Sequence, residues 1–178
     1  MAQLNARKFW PVALPWLILV VVVCVWWIYC AQPTTVLLLR HGDKLGNQDQ
    51  LSPAGQARAQ ELVHVAQKAG VAAIYHSEFQ RTRQTAEPLA NALGLVPAQF
   101  AAADVQLLVD DILQQHRGAT VLVVGHSDSI PQVIAALGGP TLANLASDEF
   151  DNLFVLTRCR CWWSPVLLVN LQYGAASP

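Results

Sequence analysis

The chain has 178 residues, with 11 Lys and Arg against 12 Asp and Glu and a formal net charge of −1 at pH 7. Charges nearly balance and no basic run exists, which argues against a nucleic-acid partner. Hydrophobic residues make up 53% of the chain, but part of that comes from one N-terminal stretch rather than from an unusually apolar domain.

That stretch runs from Val12 to Ala31 without a charge and is dominated by Val, Leu, Ile and Trp. Roughly twenty such residues suffice to span a bilayer as a helix. Trp10 and Trp16 at one end, and Trp26, Trp27 and Tyr29 at the other, resemble interfacial belts. Arg7 and Lys8 precede the span and the next basic residue is Arg40. The positive-inside rule then puts the N-terminus in the cytoplasm and the remainder on the periplasmic or extracytoplasmic side. A cleaved signal peptide is the competing reading, but the stretch is long for one and lacks small residues at the cleavage spacing. Tyr29 before Cys30 also spoils a lipoprotein-type site. The sequence therefore predicts a cytoplasmic stub and single-pass anchor over residues 1–32. One domain follows over 33–178, about 145 residues and enough for an adequate core. Gln32-Pro33 makes a very short linker, so the domain is expected close to the membrane.

Thr35-Val36-Leu37-Leu38-Leu39 reads as a buried strand and ends in Arg40-His41-Gly42. Open α/β sheets bind ligands beyond the carboxyl ends of their strands. An arginine there suits phosphate through bidentate, charge-assisted hydrogen bonds, and Gly42 lets backbone approach a ligand closely. A helix is expected to start at Ser52-Pro53, a cap followed by a proline at N1, and to stop at Gly70, with Leu62, Val65, Ala66 and Ala69 as its inner stripe. The short strand Ala72–Tyr75 leads into Ser77-Glu78-Phe79-Gln80-Arg81-Thr82-Arg83-Gln84-Thr85-Ala86, which opens a second helix ending before Gly94. Its N-terminus favours an anion. Arg81 in the first turn opposes the helix dipole, which points to a functional reason for it. A strand region over Val96–Ala101 and a helix over Asp104–His116 follow. Thr120-Val121-Leu122-Val123-Val124 is another buried strand and ends in Gly125-His126-Ser127, so two strands each present a histidine at the same end. A helix from Ser129 to Leu137, a break at Gly138-Gly139-Pro140, and strands near Leu153–Arg158 and Val166–Leu171 complete the map. The last two should form a hairpin around Trp162-Trp163-Ser164-Pro165, and the tail Gly174–Pro178 should be loose. The predicted class is α/β: a three-layer sandwich with a mostly parallel central sheet flanked by helices, preceded by one transmembrane helix.

These residues resemble the histidine phosphatase (phosphoglycerate mutase-like) superfamily, in its small lidless form, over nearly everything after residue 34. The resemblance rests on Arg40-His41-Gly42 with Asn47 six residues past the histidine, on Leu51-Ser52-Pro53-Ala54-Gly55, on Ser77 through Ala86, and on Gly125-His126. Two positions depart from the common pattern: Arg58, where many members have glutamine, and Asp43, where glutamate is commoner.

The resemblance implies a metal-independent, cofactor-free phosphatase. His41 attacks phosphorus in line and forms a phosphohistidine that water hydrolyses. The attacking nitrogen must be unprotonated, so the ring's other N–H should be held by an acceptor such as a backbone carbonyl. Arg40, Arg81 and His126 would surround the phosphoryl oxygens, and Asn47 joins Arg40, Arg81 and His126 as a substrate-binding candidate. The leaving oxygen needs a proton from a carboxyl group. Larger members carry that glutamate in a helical insertion after the third strand, but only about forty residues separate Thr85 from His126 here. Asp104, Asp128, Asp43 and Glu78 are the candidates, with Asp104 placed about right in chain order, although it also reads as a helix N-cap. A phosphoramidate substrate relaxes the need for an acid, because its leaving nitrogen is readily protonated. The expected substrate is a small phosphomonoester or a phosphohistidine on a protein. A membrane-anchored module that binds phosphoryl groups without catalysis is the alternative.

Among the other histidines, His64 and His116 fall on helices and are expected to be exposed, whereas His76 lies at a strand end near the pocket. Ser127 and Ser129 read first as caps of the next helix. Cys159 and Cys161 alternate with Arg158 and Arg160 on one strand face, a spacing poor for a disulfide. Neither they nor Cys24 and Cys30 form a zinc pattern.

Overall fold

The computed structural model describes residues 10–30, 32–159 and 164–177. After helix α1 (Trp10–Cys30), the chain runs β1 (Thr34–Arg40), α2 (Pro53–Ala66), β2 (Val71–Ser77), α3 (Gln80–Leu93), β3 (Ala98–Phe100), α4 (Val105–Gln115), β4 (Thr120–Gly125), α5 (Ser129–Ala136), β5 (Asn152–Arg158) and β6 (Leu167–Gln172). The six strands form one sheet in the order β3-β2-β4-β1-β5-β6. β3, β2, β4 and β1 pair in parallel, while β5 is antiparallel to both β1 and β6. The sheet is thus mixed, with β5 alone running against the others. The β5–β6 pairing is the expected antiparallel one; Trp162 and Trp163 at its turn lie outside the described residues, as does Cys161.

Alternation along β1 explains the three layers. Val36 and Leu38 pack with α4 and α5 through Leu108, Ile112, Val133 and Ile134. Leu37 and Leu39 point to the opposite face and pack with Leu62 of α2 and Ala86 and Leu89 of α3. A strand buried on both faces reads as an unbroken apolar run, which is what Val36–Leu39 is.

Several boundaries and faces differ from the sequence reading. α2 opens as expected, with Ser52 accepting from the Gly55 amide, but its buried face is Gly55, Arg58, Ala59, Leu62 and Ala66. Val65 is exposed, and Ala69 is exposed beyond the helix end. α3 closes on Gly94, whose φ of 67° is the left-handed cap conformation that favours glycine. The tail is pinned rather than loose. Tyr173 is buried, Ala175 O accepts from Arg58 at 2.7 Å, and Ser177 Oγ donates to Asp151 at 2.9 Å.

The expected spanning helix finds no support in the fold. Among the described residues, no helix is long and apolar enough to cross a membrane. Side chains of α1 are described over residues 14–27. All of these side chains are exposed.

Candidate active site

The parallel register places Arg40 opposite Gly125, so His41 and His126 emerge side by side where β1 and β4 end. The His41 amide donates to Gly125 O at 3.0 Å, and the two rings meet edge-on with centroids 5.5 Å apart. His41 Nδ1 lies 2.7 Å from Gly42 O. A carbonyl can only accept, so Nδ1 carries the proton and Nε2 keeps its lone pair. Burial, reinforced by the charges of Arg40 and Arg81, lowers the His41 pKa to about 3. The ring is therefore neutral at physiological pH, in the tautomer a nucleophile needs.

The backbone beyond His41 is held closely. The Gly42 amide donates to Thr85 Oγ1 at 2.9 Å, and Thr85 donates onward to Arg81 O at 2.8 Å. A side chain at Gly42 would bring its Cβ to 2.9 Å from Gly55 O, and one at Gly55 would collide with the Asp43 carbonyl. Both glycines are required by this crossing of the Gly42–Asp43 backbone over the start of α2.

Arg40 donates to the carbonyls of Ala146 and Glu149 at 2.7 and 3.0 Å and stacks on Phe150 at 4.2 Å. Burial and the Arg81 charge lower its pKa. Arg81 stacks on Phe79 at 4.3 Å. Its Nη2 lies 3.3 Å from His126 Nδ1, and His126 Nε2 lies 2.7 Å from Ser77 Oγ. Because arginine only donates, Nδ1 of His126 accepts and Nε2 donates to Ser77. Ser77 then donates to Thr82 Oγ1 at 2.9 Å, and Thr82 to Phe79 O at 2.7 Å. Burial and Arg81 lower the His126 pKa, partly offset by Asp128 and Glu78. Among the described residues, the buried Nε atoms of Arg40 and Arg81 have no partner, so each arginine keeps donor capacity for an anion.

The anion expected at the N-terminus of α3 is present, as a side chain. Asp49 Oδ2 accepts from the Gln80 amide at 2.8 Å, and Oδ1 accepts from Arg81 Nη1 at 2.7 Å. Partial burial pushes the Asp49 pKa up, but the amide bonds and the Arg81 charge outweigh it and the net shift is downward. The N-cap residue itself, Phe79, makes no side-chain cap bond, so Asp49 supplies from another loop what α3 lacks.

Arg40, His41, Arg81 and His126 are brought together. Asn47 is not: it sits exposed in the turn of the Lys44–Leu51 loop. Asp104 is not either. It is exposed at the N-cap of α4 without a side-chain cap bond, in a separate cleft with Tyr75, Gln99 and Asp111. Asp43 is engaged by Arg58, Nε to Oδ2 at 2.8 Å. Glu78 and Asp128 remain beside His126, but Glu78 accepts from the Ala102 amide and Asp128 from the Ser129 amide. His76 is buried, with Nδ1 2.6 Å from Ser77 O, and lines a cleft of about 550 Å³ with Asp49, Glu78 and Phe79. His64 is exposed as expected, whereas His116 is half-buried with its ring against Tyr75. Ser129 is buried and accepts from the His126 amide at 2.8 Å. Phe79, Phe150, Asp49 and the Ser77–Thr82 pair carry no role in the motif reading; the Ser77–Ala86 pattern includes Ser77, Phe79 and Thr82, and no motif covers Asp49 or Phe150.

Residues 36–103 match the family model of the histidine phosphatase superfamily (branch 1). Solved structures share the fold. A protein described as mycobacterial hydrolase 2 superposes with a TM-score of 0.60 at 18% identity, covering 82% of this chain and 92% of that one. Mycobacterial glucosyl-3-phosphoglycerate phosphatase in complex with inorganic phosphate gives 0.56 at 20% identity, with coverage of 74% and 97%. The protein histidine phosphatase SixA complexed with tungstate gives 0.54 at 18% identity, with coverage of 78% and 96%. No curated protein matches the chain in sequence. Two arginines around two neutral histidines at parallel strand ends fit a phosphatase, and over residues 36–103 the chain is similar to the histidine phosphatase superfamily.

Proposed function

We propose that the protein is a membrane-anchored phosphatase that works through a phosphohistidine at His41 without a metal, and that it favours phosphoramidate substrates such as a protein phosphohistidine. The observation that carries the mechanism is the His41 Nδ1 bond to Gly42 O, which leaves Nε2 aimed as a base-free nucleophile. Nε2 attacks phosphorus, the bond from phosphorus to the leaving atom breaks, and the leaving group takes a proton. Water then attacks phosphorus, inorganic phosphate leaves, and the electron pair returns to Nε2. Arg40 and Arg81 hold the charge that builds on the equatorial oxygens, which is the main demand of phosphoryl transfer, and His126, bonded to Ser77 and to Arg81, positions the Arg81 guanidinium.

The substrate preference rests on the acid. Asp104 stands in another cleft, Asp43 is paired with Arg58, and Glu78 and Asp128 are each bonded to a backbone amide. A leaving nitrogen, readily protonated from solvent, suits such a site better than an alkoxide. The same observation favours, as a second reading, a module that binds phosphoryl groups without turning them over. Hydrolysis by the purified full chain separates the two. Turnover of a phosphohistidine protein, abolished by His41→Ala, supports the enzyme, and no turnover of it or of an aryl phosphate supports the module.

Anchoring rests on the uncharged run from Val12 to Ala31 and on the exposure of Leu14, Leu17, Ile18, Val21 and Val25 on all sides of α1. A helix apolar on every face has no side suited to water. With Arg7 and Lys8 before it, the domain lies on the extracytoplasmic side. Carbonate-resistant sedimentation with membranes is the expected behaviour, and release into the soluble fraction overturns the anchor.

A further inference from the structure

At the end of the sheet opposite the histidines, a cleft of about 260 Å³ opens between the start of β1, the end of α4 and the end of β5, with Gln32, Thr34, Arg117, Gly118, Arg158 and Cys159 among its lining. Among the described residues, no acidic residue lines it. Arg58, Arg81 and Arg83 each make an ion pair. Among the described residues, Arg117 and Arg158 make none. Each spends one donor on a carbonyl: Arg117 on Leu113 O and Arg158 on Leu137 O at 3.0 Å. The remaining guanidinium N–H groups stay available. Thr34, buried at 5% exposure, accepts from the Gly118 amide at 3.0 Å, which leaves its own hydroxyl proton free to donate. Two unpaired guanidinium forks beside a hydroxyl donor match the oxygen-rich geometry of a phosphate group.

Position in the chain identifies the source of that phosphate. Gln32 lies two residues after the last residue of α1, at most about 7 Å of chain. Thr34 begins β1 here and Arg40 ends it at the catalytic site, about 20 Å away at the rise of a strand. We infer that this cleft is a second anion site that takes the phosphate headgroup of an anionic phospholipid, seating the base of the domain on the bilayer with the catalytic site facing the aqueous side. The inference rests on the anchoring reading above. Arginines close to a membrane surface are attracted to its anionic lipids, and the seat fixes the orientation of a domain otherwise joined by a three-residue linker. Substrate then reaches His41 from the aqueous phase.

The test uses the full chain in a neutral detergent, with thermal unfolding as readout and Arg117→Gln/Arg158→Gln as the variant. Three additions are compared: phosphatidylglycerol, phosphatidylcholine and inorganic phosphate. A rise in midpoint of roughly 5 °C is expected for the wild type with phosphatidylglycerol at about a hundredfold over its Kd. Phosphatidylcholine should give little, and the variant should lose the response while keeping its aryl phosphatase rate. That rate shows that the variant folds. An equal response to both lipids, or a variant that keeps the phosphatidylglycerol response, overturns the site. Inorganic phosphate stabilises both proteins through the catalytic arginines. An additional increment in the wild type alone, without lipid preference, reassigns the cleft to free phosphate and overturns the headgroup. Flotation with pure phosphatidylcholine vesicles reads the anchor separately: a chain that fails to float loses the anchor, whatever its lipid preference in detergent.

Discussion

Arg58 Nε donates to Asp43 Oδ2 at 2.8 Å, with both side chains largely buried, and the same guanidinium donates through Nη1 to the carbonyls of Tyr173 and Ala175 at 3.2 and 2.7 Å. One side chain therefore ties the loop just past His41 to the C-terminal tail. The two residues that depart from the superfamily's common pattern are partners, so neither departure stands alone. Arg58→Ala leaves a buried carboxylate without its cation and should cost about 3–5 kcal/mol of stability, measured by urea unfolding. Replacing both, Arg58→Gln with Asp43→Asn, should recover much of that loss. Equal losses in the single and double variants contradict the pairing.

Deleting residues 174–178 removes the Ser177 hydroxyl that bonds Asp151 and the Phe150 amide. Phe150 carries Arg40 on its ring. The truncated chain should lose stability and, in addition, bind inorganic phosphate several-fold more weakly, as read by competitive inhibition. Unchanged inhibition places the tail outside the site's support.

Asp49 holds Arg81 and the first amides of α3, the same donors a phosphoryl group uses. Asp49→Asn should therefore strengthen inhibition by phosphate a few-fold while lowering stability by about 1 kcal/mol through the weakened cap. Weaker inhibition in this variant means that Asp49 positions Arg81 rather than competing for it. Arg81→Gln, by contrast, should lower kcat by about a hundredfold to a thousandfold, the cost of one charge-stabilising donor.

The lowered pKa of His41 has a stability consequence with a definite sign. Its pKa is near 6.5 in the unfolded chain and about 3 in the fold. Between those values the unfolded state binds the extra proton, so the contribution is fully present above about pH 6.5 and falls as pH drops toward 3. The slope is about 1.4 kcal/mol per pH unit in the middle of that window. Unfolding midpoints followed from pH 7 to pH 4 should decline more steeply in the wild type than in His41→Asn. Parallel curves contradict the burial of a neutral ring. For the same reason, His41 adds no acid limb to the rate profile between pH 5 and 8.

How much was legible follows from which contacts are local. β1 and β4 announce themselves as apolar runs, and each histidine is the residue just past its strand, so Arg40, His41 and His126 could be placed without tertiary information. Ser52-Pro53 and Gly94 marked helix ends because cap chemistry is local. The inner face of α2 was misread because Arg58 sits on it; a charged residue hides the stripe that Gly55, Ala59, Leu62 and Ala66 form. Asp49 caps a helix that begins 31 residues later, and Phe150 reaches Arg40 across the sheet, so neither carries a spacing signal. Asp104 fitted the chain order of an acid, but order along the chain does not fix which side of β3 faces the histidines.

The central claim is that His41 carries the phosphoryl group. Rapid acid-free quenching of the full chain during turnover of a labelled phosphohistidine protein, followed by digestion under alkaline conditions, tests it most directly. The account predicts a base-stable, acid-labile phosphate on the peptide containing His41 in the wild type, none in His41→Asn, and loss of turnover in that variant. Turnover that survives in His41→Asn, or a label on any other peptide, contradicts it.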